Sequence, residues 1–340
     1  MRIQAEPIAL RLSTPFRIAH GTSTERHNVL VHVDNGVGVA AITPYYPAQV
    51  PDVLTYLSDQ RTQQALEPDI RFIEDILDAL PEGPAPARAA LDIALHDLWA
   101  QSLGQPLYRL WGLNPARAPY STFTISMAEE GEFRQRVREA VRYPLLKIKL
   151  GTGTLEGDEA LVRMAREESS ARLCVDANAA WTINQAAEII PRLATYDLMF
   201  IEQPLARDDI AGWHTLAKRL PAGTPPLIAD ESIHDSRDIL PLHGAADGIN
   251  IKLAKCGGLR EARRMITLAR TLGMKVMLGC MIESTVGVTA AAHLAPLVDF
   301  ADLDGFLTVT NDPYEGGVRW DNGRLHLPDT PGLGVHRRSQ

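Results

Sequence analysis

Two lysines separated by a single residue stand in the apolar run Leu145-Leu146-Lys147-Ile148-Lys149-Leu150. A strand repeats every two residues, so both ammonium groups point to one face, and flanks this apolar predict that the face is buried. Two like charges sharing an interior require an anion. Downstream, short apolar runs end in charge again and again: Leu173-Cys174-Val175-Asp176, Met199-Phe200-Ile201-Glu202, Leu227-Ile228-Ala229-Asp230-Glu231, Ile249-Asn250-Ile251-Lys252 and Phe300-Ala301-Asp302-Leu303-Asp304. Acids and a further lysine at the ends of successive buried strands are the layout of an active site.

Asp176, Glu202 and Asp230 form an oxygen-only set, which selects a hard cation; Mg²⁺ suits it best, one per subunit, with Mn²⁺ as a substitute. Taken singly, each acid would serve equally as the N-cap of a following helix. Three on consecutive strands, framed by lysines, point to the metal. Lys149 and Lys252 fall on the second and sixth of eight strands, so in a closed barrel they face each other across the axis. A lysine among other cations has its ammonium disfavoured, which predicts a pKa brought toward neutrality and a usable base. Two such bases on opposite faces of one carbon remove a proton from one side and return it on the other, as inversion of a stereocentre requires. One lysine alone would also suit a Schiff base, although that chemistry has no need of three carboxylates. A carbon acid beside a carboxylate gains a second negative charge on deprotonation, which a divalent cation and the Lys147 ammonium would offset in the enediolate. Asp302 and Asp304 share a face, and paired inward carboxylates would hold a substrate ammonium; a helix cap with a structural ion pair is the alternative.

These residues need a scaffold. Residues 1 to about 45 read as antiparallel strands with a turn at Asp34-Asn35-Gly36, and 50–112 read as helices, the clearest amphipathic one spanning Ala87 to Trp99 and stopped by Gly104-Gln105-Pro106. From about 115, short β-branched runs alternate with longer periodic segments, giving strands near 119–125, 145–150, 173–178, 199–204, 226–232, 248–253, 275–281 and 300–305. This spacing predicts an α/β fold, a (β/α)₈ TIM-like barrel over 115–305. An α+β capping domain is expected over 1–114, with a segment 306–340, containing the Asn322-Gly323 hairpin signal, returning to it. Rossmann-type sheets share the alternation, but no Gly-x-Gly-x-x-Gly follows the early strands.

Composition narrows the function. The 340 residues are 45% hydrophobic with a net charge of −8. No basic run interleaved with aromatics is present, which speaks against a nucleic-acid partner. No signal peptide opens the chain and no apolar run reaches a membrane span, so no membrane partner and a cytoplasmic location are expected. Cys174, Cys256 and Cys280 are too few and too widely spaced for a disulfide framework or a zinc knuckle, and Cys280 lies near the strand ends.

Lys147-Ile148-Lys149, Val175-Asp176-Ala177-Asn178, Ile201-Glu202-Gln203-Pro204, Ala229-Asp230-Glu231-Ser232 and Asn250-Ile251-Lys252, followed by Lys255-Cys256-Gly257-Gly258, stand in the order of the enolase superfamily, and the chain resembles its muconate-lactonizing subgroup. Asp302-Leu303-Asp304-Gly305 and Leu278-Gly279-Cys280-Met281 resemble the dipeptide epimerases, especially the L-Ala-D/L-Glu epimerases. The resemblance implies Mg²⁺ on Asp176, Glu202 and Asp230, proton exchange by Lys149 and Lys252, Lys147 beside the enediolate, and Asn178 and Glu231 behind the metal ligands. Asp302 and Asp304 would take the α-ammonium of a small dipeptide, with Cys280 beside them. N-acylamino acid racemases and o-succinylbenzoate synthases share the metal and the lysines, but their substrates have no free α-ammonium. A homo-oligomer is also implied. The chain departs from the pattern in its 20s loop, where relatives preferring a C-terminal glutamate often carry an arginine: here His20 stands, with Arg17 and Arg26 nearby. The Gly-x-Gly-Glu of the first meander is altered to Gly36-Val37-Gly38-Val39.

Overall fold

The computed structural model of the chain describes residues 1–18 and 21–339. It opens on an antiparallel sheet of β1 (Ile3–Ile18), β2 (Gly21–Val33) and β3 (Gly36–Ala41), with β2 between the other two. β3 and the second half of β2 are buried on both faces, whereas β1 and the first half of β2 are largely exposed. Val29, Val31, Val33 and Ala40 pack on the helices that follow, whereas Leu30, Val37 and Val39 join the core of the barrel. Alternation along each strand thus sorts one sheet between two cores.

The helix Ala85–Ser102 lies directly on this sheet and departs from the amphipathic pattern expected of it: it is buried on nearly every side, Asp92, His96 and Asp97 included. Its polar residues are fasteners. Asp92 accepts from the backbone N–H groups of Leu259 (2.5 Å) and Arg260 (3.3 Å) at the start of the helix Leu259–Thr271. Asp97 accepts from Val37 N–H at 2.9 Å and from Leu333 N–H at 2.7 Å. The two glycines of Gly36-Val37-Gly38, which the altered stretch keeps, have their reason here. A Cβ on Gly36 would lie 2.2 Å from the Ala94 carbonyl oxygen, and one on Gly38 2.0 Å from that of Ala90, so only glycine lets the helix backbone approach.

The barrel follows as eight parallel strands: β4 (Phe123–Ile125), β5 (Leu145–Lys149), β6 (Arg172–Asp176), β7 (Leu198–Glu202), β8 (Leu227–Ala229), β9 (Gly248–Lys252), β10 (Lys275–Gly279) and β11 (Phe300–Asp302). Each pairs with its sequence neighbours, and the ring closes where Ser121 bridges Ala301 and Thr122 N–H donates to Ala301 O at 2.9 Å. All eight coincide with expected runs; β5 to β11 end one to three residues short of them, and β4 ends where expected but starts four residues later. Their inward residues stack in layers. Leu145, Cys174, Phe200, Ile228 and Met277 form an apolar floor with Phe300. Two residues further along, the same face carries Lys147, Asp176, Glu202, Asp230, Gly279 and Asp302. The period of two sets the ionic layer on the floor.

After β11 the chain forms β12 (Tyr314–Gly316), the hairpin of β13 (Arg319–Asp321) and β14 (Arg324–His326), and β15 (Val335–Arg337), which pairs with β12. Asn322 (φ 50°) and Gly323 (φ 88°) make the hairpin turn. The tail lies on the N-terminal sheet: Arg337 donates twice to Glu6, both at 2.9 Å, and the Tyr314 hydroxyl meets His32 Nε2 at 2.7 Å. Among the described residues, no helix is long and apolar enough to cross a membrane.

Candidate active site

Asp176, Glu202 and Asp230 close their strands or follow them directly, and their carboxylate oxygens converge to within 4.8 Å of one another, all three buried. The chain turns sharply just past two of them. Asn178 (φ 45°), Ala179 (φ 61°) and Gln203 (φ 37°) adopt left-handed backbone, an unfavourable conformation concentrated here as it is at many functional sites.

Each acid is met by a lysine. Lys149 Nζ is 2.6 Å from Asp176 Oδ2, and Lys252 Nζ is 2.8 Å from Asp230 Oδ2. Lys147 Nζ sits at the centre, 2.7 Å from Glu202 Oε2, 3.4 Å from Asp176 Oδ2 and 2.6 Å from Asp302 Oδ2. The lysines therefore differ from expectation. Burial works against each ammonium, but the carboxylates outweigh it, Asp176 first for Lys149 and Asp230 first for Lys252, and both pKa values are held above the ordinary lysine value. Lys147 does lower both, in the direction expected of a neighbouring cation, but the carboxylates outweigh it.

The acids divide accordingly. Burial opposes ionisation of all three, yet Lys149 with Lys147 holds Asp176 below the usual carboxylate range, and Lys252 with Lys255 does so more strongly for Asp230. Glu202 is pushed up to about 8 by burial and by Asp176. Oxygen donors alone, buried, convergent and with one carboxylate forced toward its neutral form, make a donor set that fits a hard divalent cation.

Several of these contacts were not foreseen. Lys255 Nζ approaches Asp230 Oδ1 at 2.5 Å and the Asp230 carbonyl at 2.6 Å, so this acid lies between two lysines. Gln203 Oε1 accepts from Asp230 N–H (2.8 Å) and its amide donates to Ser232 Oγ (2.8 Å). Asn250 donates to Glu202 Oε1 at 2.7 Å. Asn250 stands two residues before Lys252, on the same face, so its signal was legible; Gln203 and Lys255 lie inside motifs but act across strands. Asn178 Nδ2 bridges Asp176 Oδ2 and Glu231 Oε1, each at 3.2 Å.

Over the ionic layer lies a cavity of about 520 Å³, in the usual range for small-molecule sites. Lys149, Lys252, Asp230, Asn178, Glu231, Cys280, Asp302 and Asp304 all reach its wall, whereas Lys147, Asp176 and Glu202 lie beneath it. Asp302 is partly committed within the protein, one oxygen to Lys147 and the other to the Thr122 hydroxyl. Asp304 accepts from Thr124 N–H at 2.7 Å, and burial, then Asp302, push its carboxyl up to about 6. The Cys280 thiol donates to the Asp302 carbonyl at 3.3 Å, and burial keeps it protonated. From the N-terminal domain come Phe16, Arg26, Tyr45 and Tyr46. Of the 20s loop, Arg17 is described by its backbone alone and His20 lies outside the described residues.

A closed barrel with an acid triad between opposed strand-end lysines, capped by a meander and helices, defines one class of protein. Residues 130–340 match the enolase C-terminal domain-like model and residues 2–112 the mandelate racemase/muconate lactonizing enzyme N-terminal domain. The chain belongs to this mandelate racemase/muconate lactonizing family of the enolase superfamily. An L-Ala-D/L-Glu epimerase from Bacteroides thetaiotaomicron is 39% identical, over 98% of this chain and 88% of the relative. The structure of a substrate-liganded L-Ala-D/L-Glu epimerase from Bacillus subtilis superposes with a TM-score of 0.93 at 29% identity, covering 100% of this chain and 99% of that one. A dipeptide epimerase from Enterococcus faecalis, complexed with Mg and L-Leu-L-Tyr, gives 0.87 at 31% identity and 98% coverage of both chains.

Proposed function

We propose that the protein is an isomerase, a dipeptide epimerase that inverts the α-carbon of the C-terminal residue of a small dipeptide such as L-Ala-L-Glu. The observation that carries this reading is the placement of Lys149 and Lys252. They come from strands four apart in an eight-strand ring, both reach one cavity, and each is tethered to a carboxylate of the triad.

Asp176, Glu202 and Asp230 would hold Mg²⁺, which supplies positive charge against the second negative charge that a carboxylate acquires when its α-carbon is deprotonated. Lys149 and Lys252 then flank the α-carbon. Whichever lysine is neutral takes the proton, and the opposite ammonium returns one to the other face. Lys147, buried beneath, places its charge between Glu202, Asp176 and Asp302 and offsets negative charge gathering above it. Gln203, Lys255 and Asn250 keep the triad oxygens aimed, and Asn178 with Glu231 braces Asp176.

Asp302 and Asp304 take the α-ammonium of the N-terminal residue in this reading. The raised Asp304 carboxyl supports it, because a buried pair of acids with one cation beneath it favours a second cation above. N-acylated substrates offer none, which sets N-acylamino acid racemisation and o-succinylbenzoate synthesis behind. Cys280 lies beside this ammonium and shapes the wall as a neutral thiol. A homo-oligomer and a cytoplasmic location belong to the same reading; light scattering and cell fractionation test them.

The deciding experiment is proton NMR of the Mg²⁺-loaded protein with L-Ala-X dipeptides in deuterium oxide. Loss of the C-terminal α-proton signal while the L,D diastereomer grows in is the expected result. Exchange of N-succinyl amino acids without exchange of any dipeptide would overturn the assignment of Asp302 and Asp304.

A further inference from the structure

The barrel closes unevenly at the seam between its first and last strands. Ser121 and Thr122 join Ala301, but past that point β4 and the chain beyond β11 share, among the described residues, no backbone-to-backbone hydrogen bond. The Asp304 side chain spans the gap instead, accepting from Thr124 N–H at 2.7 Å. Alternation along β4 shows what lies behind it. Thr124 pairs with Lys147 and faces inward with it, so Phe123 and Ile125 face outward. All three nevertheless line the same cavity. The cavity therefore passes through the seam and continues on the outer side of β4, in a groove beside the helix Glu130–Glu139.

The floor of this groove is apolar. Phe123, partly exposed, stacks on Tyr143 with ring centroids 4.1 Å apart, and Ile125 and Ala140 complete the surface. The polar groups around it are spent within the chain. Arg136 donates to Ser126 Oγ at 2.5 Å and to Glu132 at 2.7 Å, Arg142 donates to the Tyr143 hydroxyl at 2.6 Å, and Glu139 accepts from Gln135 at 2.8 Å. The opposite side of the aspartate pair is close-packed. A Cβ on Gly305 would lie 2.1 Å from the Met281 carbonyl oxygen and 2.9 Å from Cys280 Sγ, so the chain after Asp304 is pressed against the residues that follow β10. A dipeptide with its ammonium on Asp302 and Asp304 meets packed protein on the β10 side and the groove on the β4 side. The side chain borne by the same carbon as that ammonium has the groove as its open direction.

We infer that the groove outside β4 receives the side chain of the N-terminal residue and selects a long apolar or aromatic one, so that L-Leu-L-Glu or L-Phe-L-Glu is a better substrate than L-Ala-L-Glu. This rests on the dipeptide reading above and names the class of its first residue. Holding the C-terminal residue constant isolates the groove.

The test compares kcat/KM for α-proton exchange of L-Ala-L-Glu, L-Leu-L-Glu and L-Phe-L-Glu by the Mg²⁺-loaded protein. Wild type should prefer the Leu or the Phe dipeptide over the Ala one by about 10-fold or more, the gain expected from burying the added carbons. Phe123→Ala should cut that ratio to about 3-fold or less, and Phe123→Leu should keep more of it. Equal rates, or a preference for Ala, in the wild type overturn the inference while leaving the dipeptide reading intact, whether or not the variants fold. A ratio unchanged in Phe123→Ala also overturns it, since a purely structural role would lower all three rates together. Calorimetric titration of L-leucinamide against glycinamide reads the groove without turnover. A preference for leucinamide of about 10-fold that weakens in Phe123→Ala supports the inference even if no dipeptide exchanges, in which case the reading fails and the groove stands. Equal binding of the two amides, together with no exchange, overturns both.

Discussion

Acid will loosen the joint between the barrel and its C-terminal segment at His293, and the structure sets the size of the effect. His293 follows the helix Thr285–Ala292 and is fully buried, with its ring stacked on Tyr108 at 5.7 Å between centroids. Nδ1 accepts from Tyr108 N–H at 3.1 Å, and Nε2 faces the Leu333 carbonyl at 3.3 Å. Those partners assign the single proton to Nε2, and a second on Nδ1 would point at another N–H. Burial accordingly lowers the pKa from 6.5 to about 4. The unfolded chain takes up a proton near 6.5 and the folded one only near 4, so between these values the unfolded state binds more protons and stability falls as pH falls. The gap is worth about 3 kcal/mol, fully present above pH 6.5 and lost by pH 4. Buried acids raised above their usual range, such as Glu283 at about 7, act with the opposite sign, so a difference measurement is needed. In His293→Asn the amide oxygen still accepts from Tyr108 but nothing titrates. Urea unfolding at pH 7.5 and 4.5 should show wild type losing about 2.5 kcal/mol more than the variant. Parallel losses would refute the argument.

Other perturbations probe the site and its frame. Lys149→Met and Lys252→Met should each abolish epimerisation by at least about 100-fold while still exchanging the α-proton of the one diastereomer that faces the remaining lysine, read by NMR in deuterium oxide. Equal loss of exchange with both diastereomers would argue against two opposed bases. Mg²⁺ at 100 times its Kd should stabilise the protein by about 2.7 kcal/mol in thermal unfolding, and Asp176→Asn should erase the shift. Asp97→Ala strands the Val37 and Leu333 N–H groups in the core and should cost about 3 kcal/mol or more in urea, a loss that Asp97→Asn only partly shares.

The site was legible where chemistry follows strand periodicity. Lys147 and Lys149, and Asp302 and Asp304, were placed on one face by counting in twos, and the acids marked where strands end. Contacts that cross between strands leave no period to read. Nothing in Gln203 alone says that it braces Asp230, and nothing in Lys255 says that it holds the opposite oxygen. The helix Ala85–Ser102 departs from its amphipathic pattern for a related reason. Asp92, His96 and Asp97 look like a solvent face, and only the tertiary partners at Leu259, Leu333 and Val37 make them interior. Lysine basicity likewise depends on which ions stand near, a property of the assembled site.

The cavity wall is supplied by two differently built parts of the chain. The barrel brings the ionic layer, while Phe16, Arg26, Tyr45 and Tyr46 arrive from the first 46 residues. Inheritance can therefore act on them separately. A substitution at Phe16 or Tyr45 alters the cavity wall and leaves the ion-pair partners of Lys149 and Lys252 in place. The wall can thus be reshaped from the cap while the ion-paired layer beneath is carried along unaltered.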